Sequence, residues 1–267
     1  MRSVFNAVAD VALAWLAPGI WRREWDVLCV LDGCRVDVFR QRYPSAASVW
    51  SVASMSKTWL SRTFAGRDLG DVAYITGNPF AEDLGFGVFH QETVTVVDDV
   101  ETVPPSALAQ QAIAVVNGAE GIDRVIVHFM QPHVPFRSRP EWFDGYLGTE
   151  QFGYGRWSDV GDGIDRDEWM AAYVDNLSWV LEAGVAPVCE ALPERATVAI
   201  TADHGNAVGE WGVYGHPRRC VVPAVRRVPW YTTHGLGGEV SVSVSDGGGE
   251  VDVDRQLAAL GYREVVG

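Results

Sequence analysis

The sequence predicts an α/β fold built on a mainly parallel sheet. Three short apolar runs, at residues 27–31, 123–129 and 197–201, are typical of strands that are buried on both faces. Segments with helical patterns lie between these runs, as in folds whose parallel strands are joined by helices. The chain has 267 residues, a hydrophobic content of 48% and 11 tryptophans, so it can bury a substantial core. We therefore expect one large α/β domain.

The N-terminal segment is predicted to be a helix, because residues 4–16 carry apolar side chains at helical spacing. Asn6 and Asp10 interrupt any signal-peptide core, and no stretch of the chain reaches the roughly 18 apolar residues of a membrane-spanning helix. A helix that lies in a membrane surface would carry Lys or Arg where this helix has Asp. We expect the helix to pack on the domain, with membrane contact as the alternative. We divide the chain into residues 1–24 and a single domain at 25–267.

The remaining elements follow from shorter patterns. Apolar or alternating runs predict strands, helical periodicity predicts helices, and glycine or proline ends them. The predicted elements are strands at 47–53, 72–76, 93–97 and 228–232, and helices at 59–64, 106–117 and 168–192. Residues 137–164 are rich in Gly, Trp, Tyr and Asp without a period, which predicts a long loop over a functional site.

The charge of the chain argues against nucleic acid as a partner. The net charge is −14, and Lys57 is the single lysine among 21 basic residues. An acidic surface repels phosphate backbones, and no basic stripe interrupts it. The preference for acidic residues and arginine resembles that of proteins from salt-loving archaea, although a GC-rich genome alone would also produce an acidic protein.

The cysteines are expected to be mostly buried free thiols, because they show no C-x-x-C spacing. They are Cys29, Cys34, Cys189 and Cys220. We expect a cytoplasmic protein.

Polar side chains follow each of the three apolar runs. Asp32 follows residues 27–31, His133 comes shortly after 123–129, and Asp203 and His204 come directly after 197–201. Because ligands bind at the carboxyl ends of strands in open α/β sheets, these side chains are candidates for one shared site. Mixed oxygen and nitrogen donors favour zinc, with manganese next. Taken singly, each has an ordinary alternative as a helix cap, a turn residue or a loop histidine.

A glycine-rich loop follows Asp203 and His204 and brings a further histidine, His216. Another candidate site precedes the helix predicted at 59–64. Its hydroxyls, at Ser54, Ser56 and Thr58, could cap the helix or act as a nucleophile. The N-terminus of a helix stabilises an anionic substrate and an ionised hydroxyl at the same place. The sequence pattern itself leaves open which hydroxyl acts.

Three motifs resemble segments of the alkaline phosphatase superfamily. Asp203-His-Gly followed by Gly209-Glu-Trp-Gly-Val-Tyr-Gly-His-Pro closely resembles its metal-binding segment, particularly in the sulfatase-like and phosphoethanolamine-transferase-like branches. Asp32-Gly-Cys-Arg-Val-Asp resembles the first motif, whose first Asp is a metal ligand. Gln131-Pro-His-Val-Pro-Phe resembles the segment whose histidine contacts substrate or a second metal. The resemblance covers most of residues 25–262, including a closing helix at 253–262.

This resemblance implies an alkaline-phosphatase-like three-layer sandwich, with a mixed, mainly parallel sheet between helices, and a catalytic domain at 25–267. Counting back ten positions from Gly66, as in sulfatase relatives, selects Ser56 as the nucleophile. Lys57 beside it could hold a substrate oxygen, and His133 is a further catalytic residue. The implied ligands of a tightly bound ion are Asp32, Ser56, Asp203 and His204, and those of a second, weaker ion are His133 and His216. Zn²⁺ is the expected ion, with Mn²⁺ or Ca²⁺ as alternatives.

The implied function is a metal-dependent hydrolase or transferase that acts on small phosphate mono- or diesters through a serine nucleophile. Sulfate-ester hydrolysis is the first alternative, but sulfatases need a C/S-x-P-x-R segment, and Ser56-Lys-Thr-Trp-Leu lacks both the Pro and the Arg. A degenerate, non-catalytic metal or ligand binder is the second. Two departures from the superfamily motifs favour that second alternative. Relatives usually carry Glu at the position of Asn206. Two-metal relatives often carry an Asp shortly before the histidine that corresponds to His133, and the nearest residue here is Gln131.

Overall fold

The computed structural model of the chain describes residues 2–78, 80–83, 89–93, 102–143, 157, 159–160 and 163–237. Within this part, one sheet has seven strands and a second has two. The seven strands are β1 (Val27–Leu31), β2 (Ala47–Trp50), β3 (Leu69–Thr76), β4 (Phe89–Thr93), β5 (Arg124–Phe129), β6 (Thr197–Thr201) and β9 (Arg227–His234). The two-stranded sheet pairs β7 (Ala207–Val208) with β8 (Tyr214–Gly215).

The large sheet is mixed but mainly parallel. Its strand order is β2-β9-β6-β1-β5-β3-β4. The five strands from β6 to β4 pair in parallel, and β9 runs antiparallel to both β6 and β2. Val27 of β1 pairs with Val125 on one side and Val198 on the other, so the three central strands are in close register. The residues that follow these strands therefore lie together at one edge of the sheet.

Helices connect the strands. They are α1 (Arg2–Leu16), α2 (Val36–Arg42), α3 (Ser56–Phe64), α4 (Phe80–Asp83), α5 (Pro105–Gly118), α6 (Arg166–Val180), α7 (Ala186–Ala191) and α8 (Pro223–Arg226). Asp165 caps α6, since its side chain accepts hydrogen bonds from the backbone N–H groups of Asp167 and Glu168. A π-helical turn at Leu181–Val185 joins α6 to α7. A Cβ on Gly184 in that turn would lie 2.7 Å from the Phe129 ring, so the missing side chain allows the helix to approach β5 closely.

Helices cover both faces of the sheet. Cys29 and Leu31 of β1 belong to a buried cluster with residues of α2, α5 and α6. Leu28 and Val30, which point to the other face, pack in a second cluster with residues of α3. This alternation follows from the two-residue period of a strand, and a strand that is apolar on both faces needs helices on both. The predicted three-layer α/β sandwich is confirmed.

The N-terminal helix α1 is held on the domain by a buried ionic network. Asp10 pairs with Arg62 of α3 at 2.6 Å and with Arg226 at the end of α8 at 2.7 Å. Both Asp10 and Arg226 are buried. The side of α1 away from this network exposes apolar side chains, namely Val8, Val11, Trp15 and Leu16. In the described part of the chain, no helix has the length and apolarity needed to cross a membrane.

Several predicted boundaries differ from those observed. β4 ends at Thr93, so it meets the strand expected at 93–97 at one residue, and residues 94–97 lie outside the described part. β2 ends at Trp50 because the chain turns there, and the Ser51 hydroxyl donates a hydrogen bond to the carbonyl of Asp203. The closing helix at 253–262 and much of the loop at 137–164 also lie outside the described residues. All four cysteines are buried and free, as expected.

Candidate metal centre and nucleophile

Two neighbouring strands carry the candidate metal ligands. Asp32 follows β1, and Asp203 and His204 follow β6, which pairs with β1 in parallel. One ligand atom from each residue lies within 4.8 Å of the other two, and all three side chains are buried. By pairing β1 with β6, the sheet therefore brings the carboxylate of Asp32 to the adjacent Asp203 and His204, which lie 171 and 172 positions further along the chain.

The hydrogen bonds of His204 determine which of its nitrogens faces the carboxylates. Its Nδ1 lies 3.0 Å from the carbonyl oxygen of Gly205, and because a carbonyl only accepts, Nδ1 carries the proton. The unprotonated Nε2 then faces Asp203 Oδ2 at 3.3 Å and Asp32 Oδ1 at 3.7 Å. Neither of these oxygens has a hydrogen-bond partner. Three converging acceptors without a donor suit a divalent cation, so the cluster could hold one.

The two carboxyl groups are affected differently by their surroundings. Burial and the nearby charge of Asp203 raise the pKa of Asp32 well above its ordinary value. Burial alone would also raise the pKa of Asp203, but His204, His128 and the N–H of Gly33 outweigh it, and the pKa of Asp203 is lowered. Without a cation, the pair therefore favours one ionised and one protonated carboxyl. A bound cation would take the place of that proton.

Ser56 is the first residue of α3, and its hydroxyl faces the cluster rather than capping the helix. Its Oγ donates to Asp32 Oδ2 at 3.2 Å and lies 3.3 Å from His204 Nε2. The hydroxyl of Ser54 instead donates to the carbonyl of Pro217 and accepts from the N–H of Cys220. Thr58 lies two residues further along α3, about 200° around the helix from Ser56. The structure thus brings Ser56, and neither alternative, to the carboxylates.

His133 and His216 form a pair beside this cluster. Their Nε2 atoms are 3.0 Å apart, and the ring of His216 stacks on that of His204 with 4.3 Å between centroids. Burial lowers the pKa of His133 to about 4 and that of His216 well below its ordinary value, so both rings are neutral near pH 7. His133 Nδ1 lies 3.1 Å from the carbonyl of Val134 and carries the proton. Its Nε2 lone pair therefore needs a proton or a cation between the two rings.

Asn206 and Gln131, the two residues that depart from the motifs expected from the sequence, both form hydrogen bonds in the structure. Asn206 is buried, and its Nδ2 donates to the carbonyl of Gly33 at 3.1 Å. Gly33 has a φ of 67°, and a Cβ there would lie 2.4 Å from Asn206 Nδ2, so this turn after Asp32 requires glycine. The amide nitrogen of Gln131 donates to Thr102 Oγ1 and to a backbone carbonyl. Asn206 thus braces the Asp32 turn, and Gln131 anchors the segment before α5.

Two basic residues near the cluster have different environments. Lys57 is exposed, and its Nζ lies 5.2 Å from the centre of the Phe80 ring. Arg35 is buried and binds both carboxylate oxygens of Asp37, together with Glu210 at 2.8 Å. Arg35 therefore fastens the glycine-rich loop to the turn that carries Asp32. The predicted role of Lys57 toward substrate stays a prediction.

The sequence interpretation missed two residues of the site. Asn78 follows β3, and its Nδ2 lies 3.5 Å from Asp32 Oδ2. His128 is buried inside β5, with its Nε2 3.8 Å from Asp203 Oδ2. The strand-end rule could have found Asn78, because it comes two residues after a predicted strand. A histidine within an apolar run was the signal for His128, although such a residue is usually part of the core.

The fold and the site together define an alkaline-phosphatase-like α/β sandwich with a buried Asp-Asp-His cluster and a serine at a helix N-terminus. One similar structure is the integral membrane lipooligosaccharide phosphoethanolamine transferase A (EptA) from Neisseria meningitidis, with a TM-score of 0.53 and 15% identity. The match covers 87% of this chain but 51% of that protein, so this chain spans about half of its length.

A second similar structure is a protein from Bacteroides thetaiotaomicron assigned as a sulfatase, with a TM-score of 0.53 and 12% identity over 90% of this chain and 75% of that one. The zinc complex of the C-terminal periplasmic domain of EptC from Escherichia coli matches with a TM-score of 0.47 and 11% identity, over 80% and 74% of the two chains. No protein-family model matches the chain, and no curated protein does either. At these identities, the two matches with TM-scores of 0.53 establish the fold alone.

Proposed function

We propose that the chain is a metal-dependent enzyme that hydrolyses or transfers phosphate esters, with Ser56 as the nucleophile. The observation that carries this proposal is the position of Ser56 Oγ, 3.2 Å from Asp32 Oδ2 and 3.3 Å from His204 Nε2, at the N-terminus of α3. A buried serine that only capped a helix would bond to the backbone of that helix instead. The fold similarity to a phosphoethanolamine transferase and to a protein assigned as a sulfatase supports the same class of chemistry.

The donors of the cluster are suited to a divalent cation. Asp32, Asp203 and His204 would hold it, and their mixed oxygen and nitrogen atoms favour zinc, followed by manganese, over the all-oxygen preference of calcium. When bound, such a cation lowers the pKa of a neighbouring hydroxyl and offsets the charge that develops on a phosphoryl group. The two oxygens of Asp32 have separate roles, because Oδ1 faces His204 and Oδ2 accepts from Ser56.

The reaction follows from these contacts. Ser56 Oγ forms a bond to phosphorus while the bond from phosphorus to the leaving alcohol oxygen breaks, which gives a phosphoserine. The hydroxyl proton of Ser56 moves toward Asp32 Oδ2, its hydrogen-bond acceptor. The proton taken up by Asp32 Oδ2 passes to the leaving alcohol oxygen. Water or an acceptor alcohol then attacks phosphorus, the bond from phosphorus to Ser56 Oγ breaks, and the proton of the attacking hydroxyl returns to Ser56 Oγ. The neutral rings of His133 and His216 lie where they could hold a substrate oxygen, directly or through a second, weakly bound cation.

Phosphate is favoured over sulfate by the sequence around the nucleophile. A sulfatase converts the Cys or Ser of a C/S-x-P-x-R segment to formylglycine, and the residues after Ser56 contain neither the Pro nor the Arg of that segment. A non-catalytic binder is disfavoured by the positions of Asn206 and Gln131. Asn206 donates to the carbonyl of Gly33 and Gln131 donates to Thr102 Oγ1, and neither substitution removes any of the three donors of the cluster.

A turnover assay tests the proposal. The full chain, reconstituted with Zn²⁺ or Mn²⁺, is assayed with p-nitrophenyl phosphate, bis(p-nitrophenyl) phosphate and p-nitrophenyl sulfate, with Ser56→Ala as the matched inactive control. We expect turnover of a phosphate ester that depends on metal and is lost in Ser56→Ala. Faster turnover of the sulfate would show a sulfatase instead. Bound metal without turnover of any ester would favour the binder.

A further inference from the structure

His128 lies next to Asp203, one of the three candidate metal ligands. Its ring is fully buried in the middle of the sheet, and its Nε2 lies 3.8 Å from Asp203 Oδ2. Neither of these two atoms has a hydrogen-bond partner. A buried polar atom without a partner destabilises the fold, so two that face each other call for an explanation.

Neighbouring rings fix the orientation of His128. Its Nδ1 lies 2.7 Å from the hydroxyl of Tyr74, and its ring packs edge-on against Trp59 at 5.5 Å between centroids. Trp59 lies one turn after Ser56 on α3. The imidazole is thus held between β3 and α3, and cannot turn away from Asp203 without displacing a buried tyrosine or tryptophan.

The chemistry of its two neighbours determines the tautomer of His128. A hydroxyl can donate or accept, whereas the ionised carboxylate of Asp203 only accepts. The arrangement that satisfies both has Tyr74 donating to Nδ1 and Nε2–H directed at Asp203. At 3.8 Å this contact is longer than a hydrogen bond and acts as an attraction between an N–H dipole and a carboxylate.

We infer that His128 is a positioning residue, whose Nε2–H holds the Asp203 carboxylate in the orientation that presents Oδ2 to the metal cluster. Asp203 Oδ1 is already fixed by the N–H groups of Gly33 and His204, at 3.0 and 2.8 Å. Oδ2 has no hydrogen-bond partner and is left for His128 and the candidate cation. Removing a group that contacts a metal ligand and orients it typically weakens metal binding by about 10–100-fold. This inference rests on the proposed metal-dependent function.

Two substitutions of His128 separate positioning from packing. In His128→Gln, the amide nitrogen can take the place of Nε2 and still face Asp203. In His128→Asn, the shorter amide reaches only the place of Nδ1, beside Tyr74. We expect the Gln variant to bind metal within about threefold of the wild type, and the Asn variant to bind about 10–100-fold more weakly. Tyr74→Phe, which removes the hydroxyl that selects the tautomer, should give an intermediate loss.

The measurement is the dissociation constant for Zn²⁺, obtained by chelator competition on the metal-free full chain, together with urea unfolding of each metal-free variant. The ¹⁵N resonances of His128 in labelled wild-type protein should show the Nε2–H tautomer. Equal metal affinity in the wild type and His128→Asn would overturn the inference. It would also be overturned if the losses of metal affinity in the Asn and Gln variants were proportional to their losses of stability. A wild type that binds no divalent ion would overturn the proposed function as well, so the two failures are distinguishable.

Discussion

The hydroxyl of Ser56 lies 3.3 Å from His204 Nε2, although the two residues are 148 positions apart in the chain. One stands at the beginning of α3 and the other just beyond the end of β6. A serine at a helix N-terminus and a potential metal ligand at a strand end thus share one buried volume. The proximity joins two sequence features that are each ordinary when taken separately.

The cluster of Asp32, Asp203 and His204 is predicted to bind about one equivalent of Zn²⁺ or Mn²⁺ tightly. Asp203→Asn should lose most of this metal, because it removes the charge but keeps an oxygen for the N–H groups of Gly33 and His204. Elemental analysis measures the metal content of the wild type and of Asp203→Asn, each prepared without chelator and again after reconstitution. Asp175→Asn, in an ion pair at the surface with Arg137, is the matched control and should retain the metal. Metal below roughly a tenth of an equivalent in reconstituted wild type would contradict the prediction.

Ser56→Ala is predicted to lower turnover of phosphate esters by about 10³-fold or more, since it removes the nucleophile. The metal should remain bound, because one neutral hydroxyl contributes little beside two carboxylates and an imidazole. Steady-state rates and metal content on the same samples test this. Thr58→Ala, on the same helix but turned away from the cluster, is the control. If Thr58→Ala abolished turnover and Ser56→Ala did not, the nucleophile would be wrongly assigned.

His216→Ala is predicted to reduce turnover by about 10²–10³-fold, the scale of losing one electrostatic stabiliser of the transition state. The tighter equivalent of metal should stay, because His216 and His133 supply only two neutral nitrogens to any second ion. A metal titration of the variant, alongside kinetics, measures both effects. The exposed His234 offers His234→Ala as the control. Loss of all metal in His216→Ala would place His216 in the first site.

Asp10→Asn is predicted to lower the free energy of unfolding by about 3–5 kcal/mol, because it leaves the buried guanidinium of Arg226 without a counter-charge. Urea denaturation of the metal-free chain measures the loss. Asp175→Asn breaks a partly exposed pair with Arg137 and should cost only about 0.2–1 kcal/mol. Equal losses in the two variants would show that the buried network does not fasten α1 to the domain.

The stability of the metal-free protein is predicted to depend on His133 at acidic pH. Its pKa is lowered to about 4 by burial, whereas in the unfolded chain it is about 6.5. Between these values the unfolded state binds one more proton, so this residue makes the folded state less stable as the pH falls from about 6.5 to about 4.

Urea denaturation at several pH values should therefore show that His133→Gln removes a dependence of about 1.4 kcal/mol per pH unit in this window. His234→Gln, at an exposed position, should leave the dependence unchanged. An identical pH dependence in the wild type and His133→Gln would show that the imidazole is protonated in the folded protein.

The sequence alone determined the central strands β1, β5 and β6, and the polar residues that follow them. A continuous apolar run of five or six residues can be buried only within the sheet, so its position was set by local pattern. Asp32, His133, Asp203 and His204 were therefore identified together with their strands. The motif at 203–217 added His216 by resemblance. Helical patterns also predicted the N-terminal helix, a helix at 106–117 and a long helix at 168–192, and the last of these is divided by a π-helical turn in the structure.

Only the tertiary structure decided which side chains meet. The local pattern at Ser54, Ser56 and Thr58 does not say which hydroxyl faces the site, although the resemblance selects Ser56. Ser54 precedes α3, and each residue of a helix is rotated by about 100° from the last, so Ser56 and Thr58 point in different directions. The packing of Trp59, Leu60 and Phe64 on the sheet sets that rotation and turns Ser56 toward the carboxylates.

The directions of the Asn206 and Gln131 side chains, and the role of His128 behind Asp203, depend in the same way on contacts between distant segments. Local sequence determines whether a segment is helix or strand. The burial of its apolar face against the rest of the fold then determines where its polar side chains point, and this is why the site could be located from sequence but not assembled from it.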